Sequence, residues 1–321
     1  MTNRNTYTHL SQSDIALQIE SLVQAIEKSD TPAFRITQSR SGYEHVEQTR
    51  LSRHFTHIQQ MIDLFDDRVE YRFSEHLQAF KEACQDVGLV RDLDGPVCLN
   101  ERGTAYLDHH HSMNVLVARI RQLTRQRWYQ RRPGNLSFEA RKQEREIVEY
   151  TDALMSLYSR TTIIRLDLHY RPEAQARQRV EQVFDHLDDL IYQHSRNPIF
   201  KHLIGYTYSV EQGECKKGRG YHIHAAYYFN GNIVCRDVHK AIEIRELWEA
   251  ITRRQGYAHS CNHKKEEYGD KLGIGQIHRD DQSMRPNTHE AMKYLVKDDQ
   301  HLRLKPVGAR CLRKGILKNL N

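Results

Sequence analysis

The sequence of 321 residues is long enough for two domains of ordinary size, and its 38% hydrophobic residues suffice for a packed core. Charged residues make up 28% of the chain and the mean hydropathy is −0.78, and no apolar run approaches the roughly 18 residues of a membrane helix. These values exclude a protein that crosses the membrane by helices, and because residues 1–6 hold no hydrophobic signal core, we expect a cytoplasmic protein.

Apolar residues at three- and four-residue spacing predict a helical N-terminal half. The predicted segments are 13–27, a stretch from about residue 49, 73–87, one long helix over 105–129, and 137–158. We interpret the run His109-His110-His111 as an exposed or boundary part of a helix, because consecutive helical residues point in different directions. Residues 1–155 are therefore predicted to form an N-terminal helical domain.

The pattern changes near Thr161, where β-branched and apolar residues up to Leu168 predict a buried strand. Further elements are predicted over 172–194 (helix), 203–212 (strand), 221–229 (strand), 236–254 (helix), 272–278 (strand) and 287–297 (helix). The order β-α-β-β-α-β followed by a helix is that of a ferredoxin-like or RRM-like split β-α-β fold with an antiparallel sheet. We predict an α+β protein with a second domain over 156–300 and a basic tail over 301–321.

Basic residues are concentrated in two stretches, although the formal net charge is only +6. Residues 119–132 hold six arginines and no acid, and aromatic residues among arginines suit base stacking and phosphate neutralisation. The residues predicted to bind nucleic acid are Arg125, Arg127, Trp128, Arg131 and Arg132. The second stretch is the tail after Asp299, where no further acid occurs. The alternative for the first stretch is a solvated helix face, and the alternative for the second is a tail without structure.

The six cysteines include no C-x-x-C pair. This spacing favours reduced thiols over a disulfide framework or a structural zinc site.

Two histidines mark the predicted strand 221–229, since His222 and His224 lie on one face of it. A pair of imidazoles on a rigid strand suits a divalent metal, although ordinary strand histidines are the alternative. A carboxylate near the end of the preceding strand, Glu211 or Glu214, can complete the set. Asp167 and His169 share a face of the first strand and are able to approach the same place.

A tyrosine and a lysine follow on the last predicted helix. Tyr294 and Lys297 are three residues apart and share a helical face. A tyrosine can act as a covalent nucleophile, and a neighbouring ammonium favours its phenolate. Packing of Tyr294 on an amphipathic helix is the alternative.

The succession of carboxylate, His-x-His and Tyr-x-x-Lys resembles the motifs of the HUH endonucleases, which include rolling-circle replication initiators. With the run Thr162–Leu168 upstream, the C-terminal half resembles more narrowly the replication-protein-like family of filamentous phages (inoviruses) and prophages. Many initiators carry a Tyr-x-x-x-Tyr pair, whereas a single tyrosine stands out here, which leaves the termination step open.

The resemblance implies nicking and joining of single-stranded DNA by transesterification. His222, His224 and Glu211 would hold Mg²⁺ or Mn²⁺, with Glu211 preferred over Glu214 because related initiators place a glutamate at the end of the paired strand. Tyr294 would attack phosphorus to leave a 5′-phosphotyrosine, and Lys297 would stabilise the charge.

The implied partners are origin DNA and a separate host helicase, because the chain has no G-x-x-x-x-G-K-[ST] loop of its own. Two other functions stay open. If the protein is an archaeo-eukaryotic-type primase, Asp167 and His169 belong to a reduced form of its carboxylate motif. Polymerisation normally needs several carboxylates, however, and the second Asp of the motif is missing here. A non-catalytic DNA-binding regulator would keep the fold without the chemistry.

Overall fold

The computed structural model describes residues 10–66, 68–213, 220–296 and 301–317. Within these ranges the helices are α1 (Gln12–Glu27), α2 (Ile58–Asp63), α3 (Glu75–Asp86), α4 (His109–Thr124), α5 (Arg127–Gln130), α6 (Arg132–Met155), α7 (Pro172–Gln175), α8 (Val180–Gln193), α9 (Asp237–Ile251) and α10 (Met284–Lys293). The strands are β1 (Phe34–Gln38), β2 (Glu44–Gln48), β3 (Tyr71–Phe73), β4 (Arg160–Tyr170), β5 (Leu203–Gly213), β6 (Gly220–Asn230), β7 (Gly256–Ser260), β8 (Gly275–His278), β9 (Leu304–Pro306) and β10 (Leu312–Lys314). Short 3-10 helices occupy Leu51–Phe55, Pro198–Phe200, Cys261–Lys271 and Tyr294–Val296. The protein is thus a mixture of helices and antiparallel sheets, compatible with the predicted α+β class.

The chain divides into two compact units, residues 1–133 with 303–307, and residues 134–302 with 308–321. The boundary between the units lies at residues 133 and 134 rather than at the predicted residue 155. The reason is that α6 buries Ile147 and Leu154 in the core of the second unit. The division also differs from a separate tail over 301–321. The described part of that segment pairs β9 with β3 in the first unit and β10 with β5 in the second.

The first unit is mainly helical, as predicted for the N-terminal half. Helices α1, α3 and α4 pack against one another and bury their apolar faces. α1 begins where Ser11 accepts a hydrogen bond from the Asp14 amide, and α4 begins where Asp108 accepts one from the His111 amide. The expected single helix over 105–129 is therefore shorter, and it ends at Thr124 before the separate turn of α5.

One sheet organises the second unit. Its strand order is β10-β5-β6-β4-β7, β8 also pairs with β4, and every pairing is antiparallel. Strands β4 and β5 run in the same direction with β6 between them, and β6 and β7 do so with β4 between them. Helices α8 and α9 make these two crossovers on one face of the sheet, where Tyr170 contacts both His186 and Trp248.

The opposite face has an apolar half and a polar half. Ile163, Ala226 and Tyr228 pack there against α6 and α10 in a buried cluster. Because side chains alternate along a strand, Asp167 shares the face of Ile163, and His224 shares the face of Ala226. The half of this face beyond the helices is therefore polar.

The strands 161–168, 203–212 and 221–229 are confirmed as β4, β5 and β6. The last helix starts earlier than predicted, at Met284, and passes into a 3-10 turn at Tyr294. Asn287, within α10, donates hydrogen bonds to the carbonyls of Asp270 and Leu272. Strand β7 was not expected.

Candidate metal and tyrosine site

Strand register brings the polar side chains of three neighbouring strands together. Glu211 of β5 lies opposite His222 of β6, and His224 of β6 lies opposite Asp167 of β4. Ser209 lies opposite His224 on the other side. The five side chains therefore project from one face, which is the arrangement that alternation along the strands predicts.

Glu211, His222 and His224 form a buried group whose potential ligand atoms all lie within 4.8 Å of one another. The Glu211 Oε2 atom is 3.2 Å from His224 Nε2 and 3.7 Å from His222 Nε2. Ser209 Oγ donates to the other carboxylate oxygen, Oε1, at 3.2 Å, whereas Oε2 is buried and accepts no hydrogen bond of good geometry from the described residues. A buried oxygen left in this way, beside two imidazole nitrogens, fits a site for a divalent cation.

Asp167 fixes the orientation of one of these imidazoles. Its Oδ1 lies 2.6 Å from His224 Nδ1, so the Nε2 atom of His224 points at Glu211. A carboxylate bonded to the far nitrogen of a histidine ligand sets the ring orientation and increases its basicity. The candidate site thus includes Asp167 in addition to the three potential ligands.

The charges of the site reinforce one another. Burial alone would lower the pKa of His224, but the hydrogen bond to Asp167 and the adjacent charges of Glu211 and Asp167 raise it to about 9. Burial would raise the pKa of both carboxyls, but the adjacent histidines outweigh burial and hold both pKa values below their usual range. The site therefore concentrates negative charge on two carboxylates and favours a cation between them.

Tyr294 lies beside this group. Its ring centroid is 5.8 Å from that of His224 at an interplanar angle of 76°, and its side chain is partly exposed. It occupies the first position of the 3-10 turn that follows α10. The structure thus brings together Glu211, His222, His224 and Tyr294, whereas Lys297 and Glu214 lie outside the described residues.

Arg165 is a site residue that the sequence analysis missed. Its guanidinium carbon lies 4.4 Å from the centroid of the Tyr294 ring, and its Nη2 is 3.9 Å from Asp167 Oδ1. The side chain is buried, and its Nε has no hydrogen-bond partner among the described residues. An arginine within an otherwise apolar strand was the available signal, because unpaired arginines are rarely buried.

His169 lies at the edge of the same group, with its ring stacked between those of His222 and Tyr257 at centroid distances of 5.4 and 5.3 Å. Burial, followed by the neighbouring charge of His222, lowers the pKa of His169 to about 4. His169 is therefore neutral near pH 7 and supports the His222 ring by stacking.

Two of the arginines predicted to bind nucleic acid make contacts within the first unit. Arg132 lies over the Tyr129 ring at 4.2 Å and pairs with Glu27 at 3.5 Å. Arg125 pairs with Asp30 at 3.1 Å, although both side chains are largely exposed. These contacts give Arg132 in particular a structural role.

The other members of that set face solvent to different extents. Arg127 and Arg131 are exposed, and neither pairs with an acid in the part of the chain that the structure describes. Trp128 is half-buried and donates from Nε1 to Gln126. Arg127 and Arg131 are therefore the members best able to reach a phosphate.

No helix in the described ranges is both long and apolar enough to cross a membrane. Comparison with protein-family models, with curated proteins and with solved structures gave no match for this chain.

Proposed function

We propose that this protein is a metal-dependent enzyme of the HUH endonuclease type that nicks and joins single-stranded DNA with Tyr294 as nucleophile. The observation that carries the proposal is the partly exposed Tyr294 ring beside His224 in the buried Glu211–His222–His224 group. A nucleophile next to a cation site is the arrangement that metal-assisted phosphoryl transfer requires.

The topology of the second unit supports the same function. The strand order β5-β6-β4-β7, with α8 and α9 as crossovers on one face, is consistent with the ferredoxin-like, RRM-like scaffold of HUH endonucleases. The narrower proposal, a replication initiator-like protein of the inovirus and prophage family, rests on the resemblance of the motifs.

The residues present fit Mn²⁺ or Mg²⁺. Two imidazole nitrogens and one carboxylate oxygen from Glu211, His222 and His224 would hold the cation, and imidazole ligands favour Mn²⁺ over Mg²⁺. When bound, such a cation supplies Lewis-acid polarisation of a non-bridging phosphate oxygen. Asp167 would hold the His224 ring in position throughout.

In the reaction, Tyr294 Oη forms a bond to phosphorus while the bond from phosphorus to the 3′-oxygen breaks. The phenol proton passes to solvent and the departing 3′-oxygen takes up a proton, which leaves a 5′-phosphotyrosine and a free 3′-hydroxyl. Attack by a 3′-hydroxyl reverses the exchange without ATP. Arg165, whose guanidinium lies over the Tyr294 ring, would offset by its positive charge the negative charge that develops on the phosphate. The proposed charge-stabilising role of Lys297 stays a prediction.

This function implies single-stranded origin DNA as substrate, in the replication of phage, prophage or another mobile element. Unwinding would come from a separate, host helicase, and the reaction would take place in the cytoplasm.

The two alternatives have less support in the geometry. In a primase, Asp167 would serve as a metal ligand alongside further carboxylates, whereas its Oδ1 is bonded to His224 Nδ1. A regulator that only binds DNA leaves the buried Glu211 Oε2 and the adjacent tyrosine without a use.

The proposal is tested with Tyr294→Phe, which removes only the phenolic oxygen. The full-length protein is incubated with single-stranded DNA and Mn²⁺ and resolved on a denaturing gel, with mass spectrometry of the adduct. We expect the wild type to form a covalent adduct on Tyr294 and Tyr294→Phe to form none while still binding DNA. Tyr257→Phe is the matched control, because Tyr257 lies on the same sheet face and is likewise 38% exposed; it should keep the adduct.

Other outcomes identify the alternatives. An adduct on a different residue contradicts the assignment of Tyr294. Nucleotide incorporation that survives Tyr294→Phe indicates a primase, and DNA binding with neither activity indicates a regulator.

A further inference from the structure

A second set of potential metal ligands lies on the same sheet as the first. Asp167 of β4, His259 of β7 and Cys261, directly after β7, each offer one ligand atom, and these atoms lie within 4.8 Å of one another. Asp167 lies opposite His259 in the strand register, and Cys261 Sγ is 3.9 Å from Asp167 Oδ2. The group combines oxygen, nitrogen and sulfur donors.

The ligands of the second set are related by strand register in the same way as those of the first. In the first set, Glu211 lies opposite His222, and the next ligand, His224, is two residues further along the chain. In the second set, Asp167 lies opposite His259, and Cys261 is two residues further along the chain. Each set is thus a carboxylate across from the first member of an alternating ligand pair.

We propose that Asp167, His259 and Cys261 form a second metal site, which binds Zn²⁺. Thiolate, imidazole and carboxylate are the ligands that Zn²⁺ takes in proteins, and sulfur is a poor ligand for Mg²⁺. Three protein ligands leave the fourth coordination position to water, as in zinc sites that are not closed by four protein ligands. On binding, the Cys261 thiol loses its proton to solvent.

The two sites meet at Asp167 without competing for the same oxygen. Oδ1 bonds to His224 Nδ1 at 2.6 Å, whereas Oδ2 faces the Cys261 thiol. Cys261 is buried, and the exposed side chain of His259 gives a cation access from solvent. A Zn²⁺ ion at this site would therefore act on the first site through one carboxylate.

Co²⁺ serves as the spectroscopic probe, because it takes the place of Zn²⁺ and gives near-ultraviolet charge-transfer absorption only when a thiolate binds it. Among the described residues the first site offers no sulfur ligand, so the absorption distinguishes the second site from the first. We expect the reduced full-length protein to show this band with Co²⁺, and Zn²⁺ to remove it. Cys261→Ser should lose the band, whereas Cys235→Ser, which changes an exposed cysteine elsewhere, should keep it.

His259→Ala provides a second test, because an exposed histidine can be removed with little effect on folding. It should weaken Zn²⁺ binding by about 100-fold, as loss of a ligand costs at least as much as loss of its supporting contacts. His222→Ala should keep the thiolate band. Absence of the band in the wild type, its survival in Cys261→Ser, or unchanged Zn²⁺ affinity in His259→Ala would each overturn the proposal. None of these measurements involves DNA, so their failure leaves the proposed nuclease untouched.

Discussion

Asp167 connects the charged groups of the site at the scale of single residues. It bonds to His224 at 2.6 Å and lies 3.9 Å from Arg165. The cost of burying a carboxylate is offset only where hydrogen bonds and opposite charges reach it, and both partners supply them. Asp167 therefore helps His224 to keep the proton on Nε2 that a cation would have to displace.

The elevated pKa of His224 predicts that the stability of the metal-free protein falls as the pH rises, whereas its affinity for metal increases. A pKa raised from 6.5 to about 9 contributes stability that is fully present below pH 6.5 and is lost as the pH rises through about 9. In EDTA, the urea midpoint of the wild type should therefore fall across this window relative to that of His224→Gln.

Mn²⁺ should show the reverse trend, because it requires the unprotonated Nε2. Its affinity should rise by up to about tenfold per pH unit below pH 9, measured by calorimetry between pH 6.5 and 8.5. His224→Gln should bind Mn²⁺ weakly with little dependence on pH. Metal affinity that is flat with pH in the wild type would show that His224 is not a ligand.

The guanidinium of Arg165 lies over the ring of the proposed nucleophile. Arg165→Gln removes the guanidinium beside the Tyr294 ring and should slow single-turnover adduct formation by about 100-fold, the usual effect of losing one charge-stabilising donor. Arg165→Lys keeps the charge but loses the planar fork, so it should be slowed less. Quench-flow gels give the rates.

The readout separates chemistry from folding, since the affinity for DNA and for Mn²⁺ should change little in either variant. Equal loss of DNA binding and rate would instead assign Arg165 a structural role.

At the scale of elements, α10 places Tyr294 by close backbone contact. A Cβ atom at Gly273 would lie 2.3 Å from the backbone carbon and oxygen of Asn287, so only glycine allows this approach. Asn287 adds hydrogen bonds to the same loop through the carbonyls of Asp270 and Leu272. The start of α10 is therefore fixed against the chain that precedes β8.

Gly273→Ala should displace α10 and the tyrosine at its end. We expect a loss of about 1–3 kcal/mol in the free energy of unfolding, typical of overpacking, and slower adduct formation. Mn²⁺ affinity should persist, because the residues proposed to bind it lie on β5 and β6. Urea denaturation and gel assays measure these effects, and Gly134→Ala is the control, since a Cβ there meets nothing within 4 Å. Full activity in Gly273→Ala would show that α10 does not position the nucleophile.

The sequence was sufficient to predict the central strands and the clustering of Glu211, His222 and His224. Buried strands such as Thr162–Leu168 are recognisable by their apolar and β-branched residues. His222 and His224 are two residues apart on a strand, which places both on the same face. The hairpin of β1 and β2 was missed because Phe34 is its one buried residue, which leaves no apolar alternation to read.

The rest of the site depends on pairing between distant strands. Strand β7 is short and polar, so nothing in its own sequence predicts that His259 meets Asp167. Arg165 could be recognised as unusual in an apolar strand, but its contact with Tyr294 follows from where α10 ends. Local periodicity cannot supply such long-range contacts.

At the scale of the whole molecule, the basic residues are not equivalent. Arg303 of the first unit is buried and bonds to Glu20 at 2.7 Å, and in the second unit Arg313 pairs with Asp188 and Lys314 with Glu146. These described residues of the C-terminal segment therefore serve folding, which leaves less charge there for phosphates than the sequence suggests.

Arg127 and Arg131 are exposed and have no acidic partner among the described residues, so they are well placed to bind phosphates. Replacing both with Gln should reduce the slope of log K against log salt for single-stranded DNA by about 0.7 per lost phosphate contact, since fewer counterions are released.

The control is the double variant Arg91→Gln/Arg119→Gln, which removes the same charge from arginines of the same unit that pair with Asp63 and Asp86. Fluorescence anisotropy between low and moderate salt measures both slopes. If the two variants flatten the slope equally, the effect is one of net charge, and the stretch around Trp128 makes no specific contact with DNA. If only the Arg127/Arg131 variant does so, phosphates contact this part of the first unit, because long-range charge effects would be the same in both proteins.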